Sequence, residues 1–409
     1  MPGSRILIIG LNYAPEPVGI GPYTQGLAEA LVQGGHTVSV ICGQPYYPQW
    51  RRQAGFASGY RTTCEEGVSV TRCPHYIPAD PTGLKRIVHL ASFALSSLPA
   101  ALRMALRRDR PDTVIAVAPA LLAVLTAWIA ARLAGARLWV HVQDFEAEAA
   151  VATGLLREGG LAARLALALE RFILRRADRV STISPQMVAR LAAKGVDPAR
   201  ALELRNWADD RFVPDAAGAA ALRRQWGLEE HMVALYSGNI ARKQGIEVLV
   251  DAARLLERRT DIAFVICGEG PNRAALERRA AGLPNVQLRD LQPAERMGAT
   301  LAMADLHLLP QIAGAADLVL PSKLTNMLAS GRTIVATTEP GTGLYTEVEG
   351  CGVLTPPENA EALAAAIAAL ADDPARRAVL GAAAAARASD RWSKAAIIAR
   401  WAAALDTAD

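Results

Sequence analysis

The chain has 409 residues, more than one ordinary core holds, so two domains of about 200 residues each are expected. Hydrophobic residues make up 51% and charged residues 21%, which excludes a mostly disordered chain. With 44 basic and 40 acidic side chains the formal net charge is only +4, too balanced to indicate a nucleic-acid partner.

The start, MPGSRILIIG, goes straight into a strand, RILIIG (5–10), so no secretory signal is expected. A turn-rich loop, LNYAPEPVGIG, leads to a helical pattern, PYTQGLAEALVQGG, closed by Gly34 and Gly35. TVSVIC (37–42) is the next strand, and the three pieces make a βαβ opening. Residues 43–80, rich in Pro, Tyr, Trp and Gly, read as a long irregular excursion. Further βα units follow: TVIAVAP with its helix, RLWVHVQD with a helix near 161–176, and RVSTIS with a helix near 185–194. The polar stretch NWADDRFVPDAAG (206–218) reads as a linker. A second series runs through MVALYSG (232–238), IAFVICGEG, VQLRD, LHLLPQ and TIVATT, each strand followed by a helical segment. The alanine-rich stretch 357–408 reads as three helices. The expected architecture is two doubly wound α/β domains, 1–205 and 206–385, with a C-terminal helix in 386–409 packing back toward the first. Ligands are expected at the carboxyl ends of the strands, in the cleft between the halves.

The five cysteines are scattered, form no CxxC, and no histidine pair has zinc spacing. Buried reduced thiols in a cytoplasmic protein are the expectation.

Four stretches could carry chemistry. In PEPVGIGPYT, Gly19 and Gly21 lie between a strand and a helix start, where backbone N–H groups can hold an anion; a turn is the plain alternative. A nicotinamide site would want an acidic residue at the end of the second strand, where ICGQP stands instead. In YSGNIARKQG, Gly238 and Asn239 turn the chain after a strand, and Arg242 and Lys243 offer cations to a diphosphate; a solvated basic turn is the alternative. In DLVLPSKLTN, Asp317 and Lys323 frame an apolar run, with Thr325 and Asn326 in the helix that follows. They could meet sugar hydroxyls and phosphate, or Asp317 and Lys323 could simply pair. In HVQDFEAEA, His141 and Gln143 share strand alternation, while Asp144, Glu146 and Glu148 gather at the strand's carboxyl end. These carboxylates could bind a hydroxylic acceptor or position its proton. His141 is as readily a packed, hydrogen-bonded histidine as a ligand contact.

Together these residues resemble the retaining two-domain glycosyltransferases of family 4, which have the GT-B fold, over nearly the whole chain. LNYAPEPVGIGPYT, QPYYPQW, HVQDFE, RNW, SGNIARKQG and LPSKLTNMLASG are similar to the subgroup containing the colanic-acid fucosyltransferase and the N-acetylfucosamine transferases of O-antigen assembly. The resemblance implies that the Gly19–Gly21 loop approaches the donor diphosphate and that Lys243, offset by one, matches the phosphate lysine. Asn239 stands where many members have arginine, and CGEGP (267–271) matches the turn after the donor domain's second strand. Leu291 falls where members contact the base. Asp317 falls near the first glutamate of a pair whose second member, a ribose contact, is here Asn326. The family's cleft histidine aligns better with Gln143 than with His141. Asp144 and Glu146, from the strand end, together with Asp317 are the expected catalytic set. No DxD-type metal motif is evident, so no metal or other cofactor is expected. The implied partners are a GDP- or UDP-linked sugar, of fucose type by resemblance to the subgroup, and a polyprenyl-linked saccharide acceptor.

LKRIVHLASFALSSLPAALRMALRRDR (84–110) sets Lys85, Arg86, Arg103, Arg107, Arg108 and Arg110 around a short apolar core. It reads either as an interfacial helix drawn to an anionic membrane from the cytoplasmic side or as a core-facing helix with a basic solvent side. The competing functions are a sugar-nucleotide epimerase of the same fold, a non-catalytic nucleotide-sugar binding subunit and, more distantly, a nicotinamide oxidoreductase.

Overall fold

The computed structural model describes residues 3–407 apart from 18, 57, 80–82, 146, 149–156, 158, 209–213, 241–243 and 314–322. Met1–Asn206 with Ile398–Asp409 form one compact unit, and Trp207–Ile397 form a second.

The first unit holds β1 (Arg5–Gly10), β2 (Thr37–Gly43), β3 (Arg61–Glu65), β4 (Val68–Cys73), β5 (Thr113–Ala118), β6 (Arg137–Val142), β7 (Arg179–Thr182) and β8 (Ala201–Glu203). They form one sheet in the order β3-β4-β2-β1-β5-β6-β7-β8. Every pairing is parallel except β3 with β4. The near-continuous apolar runs follow from helices covering both faces: all six residues of β5 are buried. The chain winds outward from β1 to β2 and β4, then returns to place β5 on the other side of β1. That reversal opens a crevice at the carboxyl ends of β1 and β5, where doubly wound sheets take ligands.

The stretch 43–80, expected to be irregular, instead contributes the β3–β4 hairpin. Its two-residue turn, Glu66-Gly67, has φ of 48° and 79°, the positive pair that a tight hairpin requires. The signal was weak because β3 is largely exposed and carries no apolar period, while β4 buries only Val68, Val70, Arg72 and Cys73. Arg72 pairs with Glu65 and donates to the Ala14 carbonyl at 2.7 Å, so the hairpin is fastened to the loop after β1.

The second unit holds β9 (Met232–Ser237), β10 (Ile262–Cys267), β11 (Val286–Arg289), β12 (Leu306–Leu309), β13 (Thr333–Thr337) and β14 (Gly352–Thr355). They form an all-parallel sheet, β11-β10-β9-β12-β13-β14, which reverses between β9 and β12. The linker stretch gives way to a helix at Ala216, where Asp215 caps the Gly218 amide at 2.8 Å.

Three helices close the chain, Ala360–Asp372, Pro374–Trp392 and Lys394–Asp406, as their alanine-rich pattern implied. Asn359 and Asp373 cap the first two. On the last, Trp401 is 2% exposed and stacks on Trp139 of β6 with ring centroids 4.9 Å apart. The cysteines are free thiols, all buried except Cys64.

Candidate active site

In the first unit, the loop after β1 is organised by Glu16. It is 3% exposed, and its Oε1 accepts from the Tyr46 and Tyr47 amides at 3.0 Å each. Oε2 accepts from Asn12 Nδ2 at 2.8 Å. Burial raises its pKa, and the three donors oppose that rise. One carboxylate thereby joins the carboxyl ends of β1 and β2. It also fixes the turn carrying Gly19 and Gly21. Gly19 has φ of 76°, and a Cβ there would lie 3.3 Å from Tyr47. A Cβ at Gly21 would lie 3.1 Å from Glu16 Cβ and 3.2 Å from the Tyr13 carbonyl, so a side chain at Gly21 would crowd its neighbours, and one at Gly19 would be strained by the positive φ. Helix Gly21–Gln33 starts here with Pro22 in its first turn and, among the described residues, no capping side chain.

Behind this loop Tyr46, Trp50, His75, His89 and Phe93 form an edge-to-face aromatic cluster. Gln44 donates its amide to His75 Nδ1 at 3.3 Å, and His89 Nδ1 donates to the Tyr76 carbonyl. Burial keeps both imidazoles neutral, His75 pushed down to about 4.

His141 occupies the packed, hydrogen-bonded setting that is one of its two expected readings. It is 4% exposed, packs edge-on against Trp401 at 5.1 Å, and both ring nitrogens are engaged. Nδ1 donates to Ser181 Oγ at 2.8 Å, and Nε2 accepts from Gln143 Nε2 at 3.1 Å. Ser181 Oγ also accepts from Trp139 Nε1 at 2.8 Å, and the Gln143 amide donating to Nε2 leaves the neutral ring's proton on Nδ1. Burial pushes His141 down to about 3. Gln143 is likewise committed inward, exchanging two hydrogen bonds with Asn206 at 2.9 and 2.7 Å. The RNW motif thus serves the first unit by supplying Asn206, a partner that only the fold brings to Gln143.

Asp144 is half-buried beside an apolar hollow that includes Val142, Phe145, Ile173 and Leu174. Burial raises its pKa above the ordinary carboxylate value, opposed by the Phe145 amide. Glu148, the third carboxylate of that run, is an ion-pair partner, 3.1 Å from Arg190 and 2.6 Å from Lys194. Lys194 also pairs with the buried Glu170. Glu146 lies outside the described residues.

In the second unit, the turn after β9 interlocks with the turn after β10. Ile240 donates its amide to the Glu269 carbonyl at 2.7 Å, and Asn272 donates to the Ile240 carbonyl at 3.1 Å. A Cβ at Gly268 would sit 2.1 Å from the Gly238 carbonyl oxygen, and one at Gly270 would sit 2.3 Å from that of Ile240. The glycines of CGEGP are therefore demanded by backbone meeting backbone. Gly238 itself has φ of 150°. Asn239 is exposed, and its carbonyl accepts the Tyr236 hydroxyl at 2.6 Å.

Lys323 opens helix Lys323–Ala329 and places its ammonium 4.0 Å from the centroid of the Tyr236 ring. Thr325 is buried and Asn326 half-buried on the same helix. Leu291 follows β11 and is 47% exposed, free to meet a flat apolar surface. Arg242, Lys243 and Asp317 fall outside the described residues. Within each unit the described candidates lie largely at the carboxyl edge of the sheet. Gly19 and Gly21 follow β1, Gly238 and Asn239 follow β9, and these are the strands at which the two sheets reverse.

Residues 18–207 match the model of the glycosyl transferase 4-like domain, and residues 231–373 match that of the glycosyl transferases group 1. The chain is 44% identical over 374 residues to the Escherichia coli (strain K12) protein named as the colanic acid biosynthesis glycosyl transferase WcaI, covering 89% of this chain and 91% of that one. The chain belongs to the GT-B glycosyltransferases. Its fold matches sucrose-phosphate synthase from Thermosynechococcus elongatus, with a TM-score of 0.72 at 19% identity over 98% of both chains. It also matches HepE of Anabaena in complex with UDP, with a TM-score of 0.68 at 16% identity over 98% of this chain and 100% of that one. Within the motifs of this glycosyltransferase, Glu16 and Asn206, not singled out from the sequence, hold the surrounding loops by hydrogen bonds. The only trace of Glu16 in the sequence is a carboxylate between two prolines in an otherwise apolar loop.

Proposed function

We propose that this glycosyltransferase moves a sugar, with retention, from a nucleotide donor to a lipid-linked saccharide in exopolysaccharide or O-antigen synthesis. The observation that carries the donor half is the turn after β9. Gly238, Gly268 and Gly270 hold two backbone turns in contact there, beside the ammonium of Lys323. Arg242 and Lys243 follow in sequence and would join Lys323 in neutralising a diphosphate. Asp317 and Asn326 take the sugar and ribose in this reading, Leu291 the base, and Asp144 and Glu146 orient the acceptor. The acceptor hydroxyl attacks the anomeric carbon on the face from which the diphosphate leaves. The new glycosidic bond forms as the bond to phosphate breaks, and a phosphate oxygen takes the acceptor's proton. The protein contributes positioning and charge stabilisation. The colanic acid name of the 44% identical relative supports the exopolysaccharide setting. A calorimetric titration with GDP, UDP and NAD tests the donor half. One nucleoside diphosphate is expected to bind with NAD inert, and NAD binding alone would sink the reading.

The acceptor's lipid draws support from helix Gly83–Ala105. His89, Phe93, Ser97, Ala101 and Ala105 form its buried stripe. Leu84, Leu95 and, just beyond the helix, Leu106 are 73%, 72% and 71% exposed. Exposed leucines among Arg86, Arg103 and Arg108 suit an anionic lipid surface. Helix Leu161–Arg176 repeats the pattern, with Leu161 and Leu165 exposed beside Arg164 and Arg171. Replacing Arg103, Arg107 and Arg108 by Glu is expected to cut co-sedimentation with anionic vesicles at least tenfold, from about 1 kcal/mol per basic residue lost. Undiminished sedimentation would remove the peripheral-membrane reading.

A further inference from the structure

Arg273 opens helix Arg273–Ala280, where a guanidinium would ordinarily pair along its own helix. One nitrogen does so, Nε meeting Glu277 at 3.0 Å. The two terminal nitrogens turn instead toward the carboxyl ends of β10 and β11. Nη1 donates to the Gly268 carbonyl at 2.6 Å and to the Arg289 carbonyl at 3.3 Å, and it pairs with Glu269 at 2.8 Å. Nη2 pairs with Asp290 at 2.8 Å. The Arg289 carbonyl also accepts the Gly268 amide at 3.0 Å, so the guanidinium reinforces a backbone bond between the two strand ends. Just beyond, the Asp290 carbonyl accepts from Gln292 Nε2 at 2.9 Å. The chain on both sides of Leu291 is thereby held, while Leu291 itself stays 47% exposed.

The ion pairs lie near the surface, and each adds little to stability. Their contribution is geometric. A planar fork can serve two carbonyls and three carboxylates together, which the compact ammonium of a lysine cannot. The preceding residue, Asn272, faces the other half of the site. Its amide meets the Ile240 carbonyl at 3.1 Å, and its Nδ2 donates to Glu247 at 2.9 Å, in the first turn of the helix Glu247–Leu255.

We infer that Arg273 is a positioning residue for the nucleotide's base: it fixes the strand end that carries Leu291 and leaves the diphosphate to the turn after β9. The inference rests on the donor reading above, in which Leu291 meets the base, and adds the side chain that holds that edge in place. A rigid edge loses little freedom when a flat ring settles on it, so its contacts appear as affinity. Once the edge is loosened, the same contacts are offset by the cost of ordering it. Only a ligand with a base feels the difference.

The test compares nucleoside diphosphates with pyrophosphate, which has no base. The whole protein is titrated calorimetrically with UDP and with GDP, and pyrophosphate is read by displacement of the bound nucleotide. In the wild type one nucleoside diphosphate is expected to bind more tightly than pyrophosphate. Arg273→Gln is expected to weaken that nucleotide roughly tenfold and to leave pyrophosphate within about twofold of the wild type. Arg273→Lys is expected to lose nearly as much, because charge without the fork does not span both carbonyls. Equal weakening of both ligands in Arg273→Gln would make the residue a support of the whole domain and overturn the inference, as would undiminished nucleotide affinity. Should Arg273→Gln fail to fold, Asp290→Ala decides, since that position is exposed. Nucleotide binding about threefold weaker with pyrophosphate unchanged is expected for it, and no change in either ligand overturns the inference. A wild type that binds pyrophosphate as tightly as either nucleotide removes the base contact, and this inference with it, while the phosphate half of the site stands. Failure of both nucleotides to bind the wild type overturns the donor reading as well.

Discussion

Glu16→Ala is expected to slow release of nucleoside diphosphate from the donor about 100-fold, the effect typical of an ångström-scale misplacement of groups near the chemistry. The substitution removes the acceptor for the Tyr46 and Tyr47 amides and for Asn12 Nδ2. A buried donor left unpartnered costs about 1–3 kcal/mol, so the loops after β1 and β2 have reason to part and rehydrate. The turn bearing Gly19 and Gly21 then loses its support, because Gly21 packs directly on the Glu16 side chain. Stability of the first domain should drop by roughly 3 kcal/mol in the same variant. Glu16→Gln separates support from charge. Its carbonyl oxygen still accepts both amides, and Asn12 can turn its own oxygen toward the new amide group. Activity within tenfold of the wild type is expected for it. Equal, large losses in both variants would mean that the carboxylate's charge, rather than its hydrogen bonds, is what the loop requires.

Acidification should unfold the first domain ahead of the second. Burial lowers the pKa of His75 to about 4, of His141 to about 3, and also that of His89, all in the first unit. In the second unit burial lowers His307 to about 3. Each imidazole is neutral when folded and titrates near 6.5 when unfolded. The stabilisation is therefore fully present above pH 6.5 and is lost as pH falls toward 4, because the unfolded chain binds protons that the folded chain refuses. One such group contributes about 1.4 kcal/mol per pH unit, and three contribute at most about 4. Against a domain stability of about 5–15 kcal/mol, that slope brings the first domain close to unfolding near pH 5. Scanning calorimetry at pH 7.5, 6 and 5 should show one transition separating and moving down faster than the other. Parallel shifts of both transitions, or none, would contradict the histidine account.

What the sequence determined by itself was whatever depends on neighbours along the chain. RILIIG, TVIAVA and IAFVIC are strands because short apolar runs bounded by turn residues bury both faces in a parallel sheet. The last three helices follow from alanine-rich periods broken at Asp373-Pro374 and Ser393. The ordered motifs were sufficient for the family, since backbone pressed against backbone, as in CGEGP, admits only glycine and so shows in residue type. The β3–β4 hairpin escaped because its outer strand has no buried period to read.

The tertiary structure alone decided the environment of each polar group. His141 became a packed histidine once Ser181 and Gln143 took its two nitrogens, both partners being fixed by strand register and side-chain direction. Glu148 became an ion-pair partner because the helix Pro185–Ala193 and Lys194 just after it come alongside. Glu16 became a keystone because β1 and β2 end side by side. Lys323 came to lie over the ring of Tyr236, a residue of a strand far earlier in the chain. Hydration and dielectric are set by everything that surrounds a side chain, and those surroundings are assembled from residues that the local sequence does not contain.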